Sequence, residues 1–220
     1  MKVDGREITV FQGEYKTSPL IVLNTVQGEG EEIHKITKGL SASDFTLLSV
    51  QIDDWNSAMT PWRAEAVASW DSGYEGKADE YIESLTQRII PGVIVRYSLC
   101  PSFIAIAGYS LGGLFALYSM YKTDIFTRFA SVSGSLWYPG FAEYTEKNIP
   151  SASPARIYIS LGNKEAKTGN RIMKTVADCT ERICSHYSRI GMDTFFEWNE
   201  GNHFHDAPFR MAKGIRYLIS

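Results

Sequence analysis

The chain has 220 residues, of which 44% are hydrophobic and 21% are charged, a composition typical of a globular protein with a full core. Its net charge of -3 gives no electrostatic reason to expect binding to nucleic acid or to an anionic membrane. The first residues lack the apolar core of a signal peptide, and no stretch is apolar enough to span a bilayer. We therefore expect a cytoplasmic protein that forms a single domain over residues 1–220.

The three cysteines predict neither a disulfide framework nor a metal site. Their number is odd, and they form no C-x-x-C pair. Cys179 and Cys184 are five residues apart on a predicted helix, so they point in different directions. We expect all three, including Cys100, to be buried small apolar residues, and we expect no metal and no cofactor.

In chain order, short apolar runs alternate with longer segments of helical periodicity. The predicted strands cover residues 7–12, 19–25, 45–52, 103–107, 129–133, 155–161 and 193–198. The predicted helices cover residues 31–39, 77–90, 111–121, 170–190 and 206–218. Pro91 is expected to end the second helix, and Asp206 to cap the last. The alternation predicts an α/β fold with a mostly parallel central sheet and helices on both faces.

A G-x-S-x-G pattern, Gly108-Tyr109-Ser110-Leu111-Gly112, lies between a predicted buried strand and a predicted helix. This placement is typical of the nucleophile elbow of serine hydrolases, in which a sharp turn exposes the serine hydroxyl. Glycine is needed at both ends of the pattern because the neighbouring backbone passes close by. The alternative is an ordinary glycine-rich turn between strand and helix.

Two later predicted strands are followed by residues of the types that activate a serine nucleophile. Glu165 follows the strand at 155–161, and His203 follows the strand at 193–198. Ligands of parallel sheets bind at the carboxyl ends of the strands, so these side chains are expected near Ser110. A histidine can take the serine proton near neutral pH, and a carboxylate orients the imidazole and stabilises its cation.

Other residues compete for two of these roles. Asp178 and Glu181 are further acidic candidates, but they lie in the middle of a predicted helix and are expected to face solvent. His205 shares the loop of His203, and we favour His203 because it is nearer the strand end. His34 and His186 lie on predicted helices and are expected to be surface or packing residues.

The oxyanion of an acyl-transfer intermediate needs two backbone amides. Leu111 follows the serine at the start of a helix, which aims its amide toward the reacting atoms. In hydrolases of this kind, the second donor comes from the loop after an earlier strand. By position this donor is the amide of Val26, with Gln27 as the next choice.

Four aromatic residues fall in loops at the predicted edge of the site: Trp55, Trp62, Trp137 and Tyr138. They are candidates for stacking on an aromatic or sugar-like part of a substrate, and we assign substrate contact to Trp55, Trp137 and Tyr138. The alternative is that they seal the core beneath the loops. Arg63 and Lys164 are candidates for meeting an anionic substrate, but isolated surface charges are commoner.

Several segments resemble the "putative esterase" branch of the α/β-hydrolases, which includes enterobactin (trilactone siderophore) esterases, esterase D and mycolyltransferase-like proteins. The matching segments are GYSLGGLFALY around Ser110, SVSGSLWYPGF from Ser131, SLGNKEAKT around Glu165, GNHF at His203 and MTPW from Met59. The resemblance implies an α/β-hydrolase fold and a triad of Ser110, Glu165 and His203. It also implies Val26 and Leu111 as oxyanion amides. A chain of this length has no room for a large lid.

The sequence thus predicts a serine carboxylic-ester hydrolase that acts through an acyl-enzyme on a small or medium ester. A siderophore lactone and an acylated sugar are both compatible with the residues. The alternatives are an acyltransferase of the same fold and a non-catalytic binding protein that keeps the hydrolase fold. The intact serine, acid and histidine argue against the last of these.

Overall fold

The structure is a computed structural model that describes residues 1–68 and 73–220. Its strands are β1 (Lys2–Val3), β2 (Arg6–Phe11), β3 (Leu20–Thr25), β4 (Thr46–Gln51), β5 (Ile104–Tyr109), β6 (Arg128–Val132), β7 (Arg156–Gly162) and β8 (Thr194–Asn199). Its α-helices are α1 (Gly30–Leu40), α2 (Trp55–Ala58), α3 (Ala78–Ser84), α4 (Ile90–Tyr97), α5 (Leu111–Ser119), α6 (Phe141–Lys147), α7 (Val176–Arg189) and α8 (Ala207–Ile219).

The described strands form one eight-stranded sheet in the order β1-β2-β4-β3-β5-β6-β7-β8. The pairs β1–β2 and β2–β4 are antiparallel, and every other pair is parallel. Tyr109, Val132, Ser160 and Glu197 lie in register across β5 to β8, so these four strands end at the same edge of the sheet. The predicted α/β architecture with a mostly parallel sheet is confirmed.

Helices cover both faces of the sheet. Helices α1 and α8 pack on one face, and α3 to α7 pack on the other. All six residues of β3 are buried because this central strand is covered on both sides. The described residues form no large lid over the edge where the strands end. In the same part of the chain, no helix has the length and apolar character needed to cross a membrane.

The helix predicted to stop at Pro91 instead continues to Tyr97. A five-residue π-helical segment, Leu85–Ile89, follows α3 and leads directly into α4. Pro91 therefore lies at the junction of the π-helical segment and α4, inside one continuous helical stretch. A π-type turn interrupts the regular i→i−4 hydrogen-bond pattern, so a residue without an N–H can be accommodated there without ending the helix.

Other boundaries also differ from the prediction. The helix expected from residue 170 begins as a 3-10 turn at Met173, because the side chain of Asn170 accepts hydrogen bonds from the amides of Ile172 and Met173. Helices α2 and α6 were not predicted. Asp206 precedes α8 as expected, but its side chain makes no capping hydrogen bond.

The cysteine prediction is wrong for one residue and too strong for the others. Cys100 is exposed, and Cys179 and Cys184 are partly buried. Burial raises the pKa of the Cys184 thiol to about 12 and also raises that of Cys179, although a hydrogen bond to Thr175 acts in the opposite direction on the latter. Both helix thiols are therefore poor nucleophiles.

Candidate active site

Ser110 lies at the turn between β5 and α5 with a backbone φ of 57° and ψ of -123°, a conformation that residues with a side chain rarely adopt. Two hydrogen bonds hold the turn: the Ser110 amide donates to the Val132 carbonyl at 3.2 Å, and the Ser135 amide donates to the Ser110 carbonyl at 2.9 Å. A Cβ atom on Gly108 would lie 2.0 Å from the Gly112 carbonyl oxygen. Only glycine therefore fits at position 108.

The structure brings Ser110, His203 and Glu165 into one chain of contacts. His203 Nε2 lies 3.1 Å from Ser110 Oγ, and His203 Nδ1 lies 2.7 Å from Glu165 Oε2. The three residues follow β5, β8 and β7, which end at the same edge of the sheet. This arrangement allows the imidazole to take the serine proton while the carboxylate holds the other ring nitrogen.

Glu165 is buried, with only 3% of its side chain exposed, and it is held through both oxygens. Oε1 accepts hydrogen bonds from the Gly162 amide at 2.7 Å and from Arg210 Nη1 at 3.1 Å. Burial acts to raise the pKa of Glu165, but the hydrogen bond and charge of His203 outweigh it, together with hydrogen bonds from the Ser133 side chain and the Gly162 amide. The pKa of Glu165 therefore lies below its ordinary value, and the carboxylate stays ionised near neutral pH.

The loop that carries His203 is tied to neighbouring elements. The Tyr109 hydroxyl donates to the His203 carbonyl at 2.6 Å, and the two rings lie 5.3 Å apart. The Gly201 amide donates to Asn163 Oδ1 at 3.1 Å, which links the loops after β7 and β8. Burial raises the pKa of Tyr109 above its ordinary value, so its hydroxyl stays protonated and can donate near neutral pH.

His205 does not join this group. Its Nε2 lies 3.2 Å from Asp206 Oδ2, and 52% of its side chain is exposed. Gly201 has a φ of +95°, and a Cβ atom there would lie 2.6 Å from His205 Cγ. Glycine at this position lets the loop turn so that His203 faces Ser110 and His205 packs behind the turn.

The two predicted oxyanion amides differ in their surroundings. Within the part of the chain that the structure describes, the Leu111 amide has no hydrogen-bond acceptor. The Val26 and Gln27 amides both donate to Glu29 Oε2, at 3.1 and 3.0 Å. These two amides therefore already bind a carboxylate oxygen, and an oxyanion would present them with a similar acceptor.

A cleft of about 580 Å³ opens beside the serine hydroxyl. Ser110, His203, Trp55 and Trp137 line it, together with Lys164 and Lys167. The side chain of Trp55 also lies against Gly112, where it would contact an added Cβ atom at 3.1 Å. The two tryptophans therefore lie where substrate contact was predicted.

The prediction of substrate contact for Tyr138 is wrong. Only 1% of this residue is exposed, it does not line the cleft, and its hydroxyl donates to the Trp62 carbonyl at 2.5 Å. Trp62 does not line the cleft either, and its indole N–H donates to the Pro139 carbonyl at 3.0 Å. These two aromatic residues seal the core beneath the loops, which was the alternative reading of the sequence.

Arg210 is a residue of the site that the sequence analysis missed. It lies in the first turn of α8 and is 2% exposed. One signal was available in the sequence: Arg210 is spaced four and eight residues before Gly214 and Leu218, both on the buried face of α8. An arginine on that face requires a buried acceptor, and Glu165 is that acceptor.

The sheet order and the serine turn define the fold as that of an α/β-hydrolase. Residues 26–204 match the model of the family described as "Putative esterase", which is more than half of the chain. The chain therefore belongs to this family.

Solved structures with the same fold include several hydrolases. An IroE-like serine hydrolase from Shewanella oneidensis superposes with a TM-score of 0.81 at 15% identity, over 97% of this chain and 75% of that one. The siderophore hydrolase EstA from Aspergillus nidulans gives 0.75 at 17% identity, over 92% of this chain and 82% of that one. The enterobactin esterase FES from Shigella flexneri gives 0.69 at 19% identity, over 97% of this chain and 55% of that one.

One curated relative is also similar in sequence. The uncharacterized protein YbbA from Bacillus subtilis (strain 168) is 24% identical over 143 residues, which is 64% of this chain. The matched segment spans 57% of the length of that relative.

Proposed function

We propose that the protein is a serine carboxylic-ester hydrolase that works through an acyl-enzyme. Ser110 is the nucleophile, His203 the general base and acid, and Glu165 the orienting carboxylate. The observation that carries this proposal is the unbroken contact chain from Ser110 Oγ through the His203 ring to Glu165 Oε2, at 3.1 and 2.7 Å. Membership of an esterase family supports it independently.

In the first half of the reaction, Ser110 Oγ attacks the ester carbonyl carbon while its proton passes to His203 Nε2. The oxyanion of the tetrahedral intermediate accepts a hydrogen bond from the Leu111 amide, and from the Val26 amide as the second donor. The intermediate collapses when the bond to the alcohol oxygen breaks. The alcohol then leaves with the proton that His203 held.

In the second half, water attacks the acyl-serine ester, and His203 takes the water proton. A second tetrahedral intermediate forms in the same place and expels Ser110, which recovers its proton from the imidazole. The products are a carboxylic acid, an alcohol and free enzyme. Glu165 remains ionised throughout and stabilises the imidazolium in both halves.

The substrate is a small or medium ester with a ring or a flat group that stacks on Trp55 or Trp137, both of which line the cleft. Siderophore lactones and acylated sugars both fit this description. The first is favoured by the solved structures of similar fold that are named as a siderophore hydrolase and an enterobactin esterase. Acyl transfer to an alcohol uses the same acyl-enzyme, so it is distinguished by adding alcohol acceptors and measuring ester product.

The test is turnover of p-nitrophenyl acetate and covalent labelling by a fluorophosphonate, on wild type and Ser110→Ala. We expect the substitution to abolish labelling and to lower kcat by at least about 10³-fold, because no other activated hydroxyl remains. The matched control is Ser135→Ala, since the Ser135 hydroxyl lies 3.2 Å from that of Ser110. Labelling that persists in Ser110→Ala and disappears in Ser135→Ala would contradict the proposal.

A further inference from the structure

Arg210 joins the three loops that follow β6, β7 and β8. Its Nη1 atom donates to Ser133 Oγ at 3.1 Å and to Glu165 Oε1 at 3.1 Å. Its Nη2 atom donates to the Glu200 carbonyl, three residues before His203. One planar guanidinium therefore contacts Ser133 at the end of β6, Glu165 in the loop after β7, and Glu200 in the loop after β8 that also carries His203.

Burying this charge is costly unless its partners are fixed. The side chains of Arg210 and Glu165 are 2% and 3% exposed, so water screens neither charge effectively. A guanidinium presents its donors in a rigid plane, which suits a site where several acceptors must be held at once. The pair therefore holds the Glu165 carboxylate in one orientation.

That orientation determines which oxygen faces the imidazole. Oε1 is occupied by Arg210 and the Gly162 amide, and Oε2 remains for His203 Nδ1 at 2.7 Å. The contact with the Glu200 carbonyl fixes the loop of His203 relative to the same guanidinium. Without Arg210, the carboxylate would keep the Gly162 amide and the Ser133 side chain as partners but would lose the guanidinium that links it to the His203 loop.

We propose that Arg210 is a positioning residue for the acid and the base: it sets the rotation of the Glu165 carboxylate and the approach of the His203 loop, without touching substrate. This inference rests on the proposed function, because it concerns the same reaction. It adds a fourth side chain, from α8, to a group otherwise supplied by the loops after three strands.

The experiment compares Arg210→Met, Arg210→Lys and Arg156→Met with the wild type. Arg156 is the matched control because it also anchors α8, by donating to the Tyr217 and Ser220 carbonyls at the far end of the helix. Two measurements are made on each variant: steady-state hydrolysis of p-nitrophenyl acetate per folded molecule, and a crystal structure.

We expect Arg210→Met to lower kcat by about 10²-fold with KM within about threefold, because orientation of the base is lost while the cleft is intact. Arg210→Lys keeps one charged contact and should lose about tenfold. Arg156→Met should keep the wild-type kcat even if its melting temperature falls. In the crystal structure of Arg210→Met, Glu165 Oε2 should lie beyond hydrogen-bond distance of His203 Nδ1.

The inference would be overturned if both Arg210 variants kept a kcat within twofold of the wild-type value and an unchanged contact between Glu165 and His203. An equal loss in Arg156→Met would also overturn it, since the effect would then belong to helix anchoring in general. If Arg210→Met fails to fold, the kcat and the crystal structure of Arg210→Lys test the inference in its place. If the wild type hydrolyses no ester, the proposed function fails, and the crystal structures still decide whether Arg210 orients Glu165.

Discussion

At the scale of single residues, Glu165 is unusual in being almost fully buried and still ionised. Its pKa is lowered despite burial, chiefly by the hydrogen bond and charge of His203. A carboxyl group whose pKa is lower in the folded state than in the unfolded state stabilises the fold above its ordinary pKa. That contribution is lost as the pH falls through the lower, folded-state value.

We therefore predict that wild type loses more stability between pH 7 and pH 3 than Glu165→Gln does, because the amide does not titrate. Urea unfolding at a series of pH values measures the difference. Glu80→Gln is the control for the loss of a negative charge, since Glu80 is an exposed residue of α3. Parallel curves for wild type and Glu165→Gln would contradict the assignment of a lowered pKa.

The two histidines of the last loop should differ sharply in their effect on turnover. His203→Ala removes the group that contacts Ser110 and should lower kcat by about 10³-fold or more. His205→Ala removes a half-exposed ring that lies against Gly201 and Asp206, and should change kcat by less than about threefold. Steady-state kinetics with p-nitrophenyl acetate tests both, and a large loss confined to His205→Ala would exclude His203 as the base.

The sequence was a good guide to residues whose role follows from a motif or from the end of a strand. Ser110, Glu165 and His203 were predicted to lie together, and they do. Arg210 and Tyr138 were not predictable in the same way. Their surroundings depend on how several loops converge, and neighbouring residues such as Trp137 and Tyr138 follow no periodicity that says which one faces the cleft.

At the scale of secondary-structure elements, the strands other than β1, which was not predicted, were predicted closely, and the helix ends less well. Strands that are buried on both faces can be recognised in the sequence as continuous apolar runs, as β3 can. Pro91 was misjudged because the π-helical segment before it depends on packing rather than on local preference. Helices α2 and α6 have four and seven residues, too few to show a helical period.

The loop between β3 and α1 carries the predicted second oxyanion donor, and its amides are held by Glu29. If the Val26 amide serves the oxyanion, the Glu29 carboxylate competes with it. We predict that Glu29→Ala raises kcat by up to about tenfold. The corresponding fall in activation free energy is about that of one exposed hydrogen bond to a charged group.

Steady-state kinetics on three variants tests this competition. Glu32→Ala is the control, because Glu32 is an exposed acid in the first turn of the same helix. A Glu29→Gln variant keeps a side-chain oxygen but removes its charge, and should show a smaller rise. A fall in kcat in Glu29→Ala alone would show that the loop needs Glu29 and that the competition is absent.

At the scale of the whole molecule, the charge of the cleft differs from that of the chain. The net charge is -3, yet the described residues that line the cleft include two lysines and one acid, and that acid is buried against Arg210. Lys164 and Lys167 are both exposed at this surface. The cleft should therefore attract esters that carry a negative charge.

We predict that Lys164→Glu and Lys167→Glu each raise KM for mono-p-nitrophenyl succinate by about threefold to tenfold, while KM for neutral p-nitrophenyl butyrate stays within about twofold. The effect should shrink with added salt, which screens exposed charges. Lys147→Glu, on α6 and away from the cleft, controls for the change in net charge. Equal effects on the two esters would show that the lysines do not select for charge.

The backbone of Ser110 bears on the free energy of unfolding of the entire chain. A non-glycine residue at φ 57° and ψ -123° costs on the order of 1–3 kcal/mol, and glycine removes most of that cost. We predict that Ser110→Gly unfolds at a higher urea concentration than Ser110→Ala, by about 1 kcal/mol, although both lack activity. Equal midpoints would show that the bend is relaxed. If Ser110 acts as proposed, the strained backbone is retained for the sake of the hydroxyl, and a variant with no use for that hydroxyl would gain stability from glycine at this position.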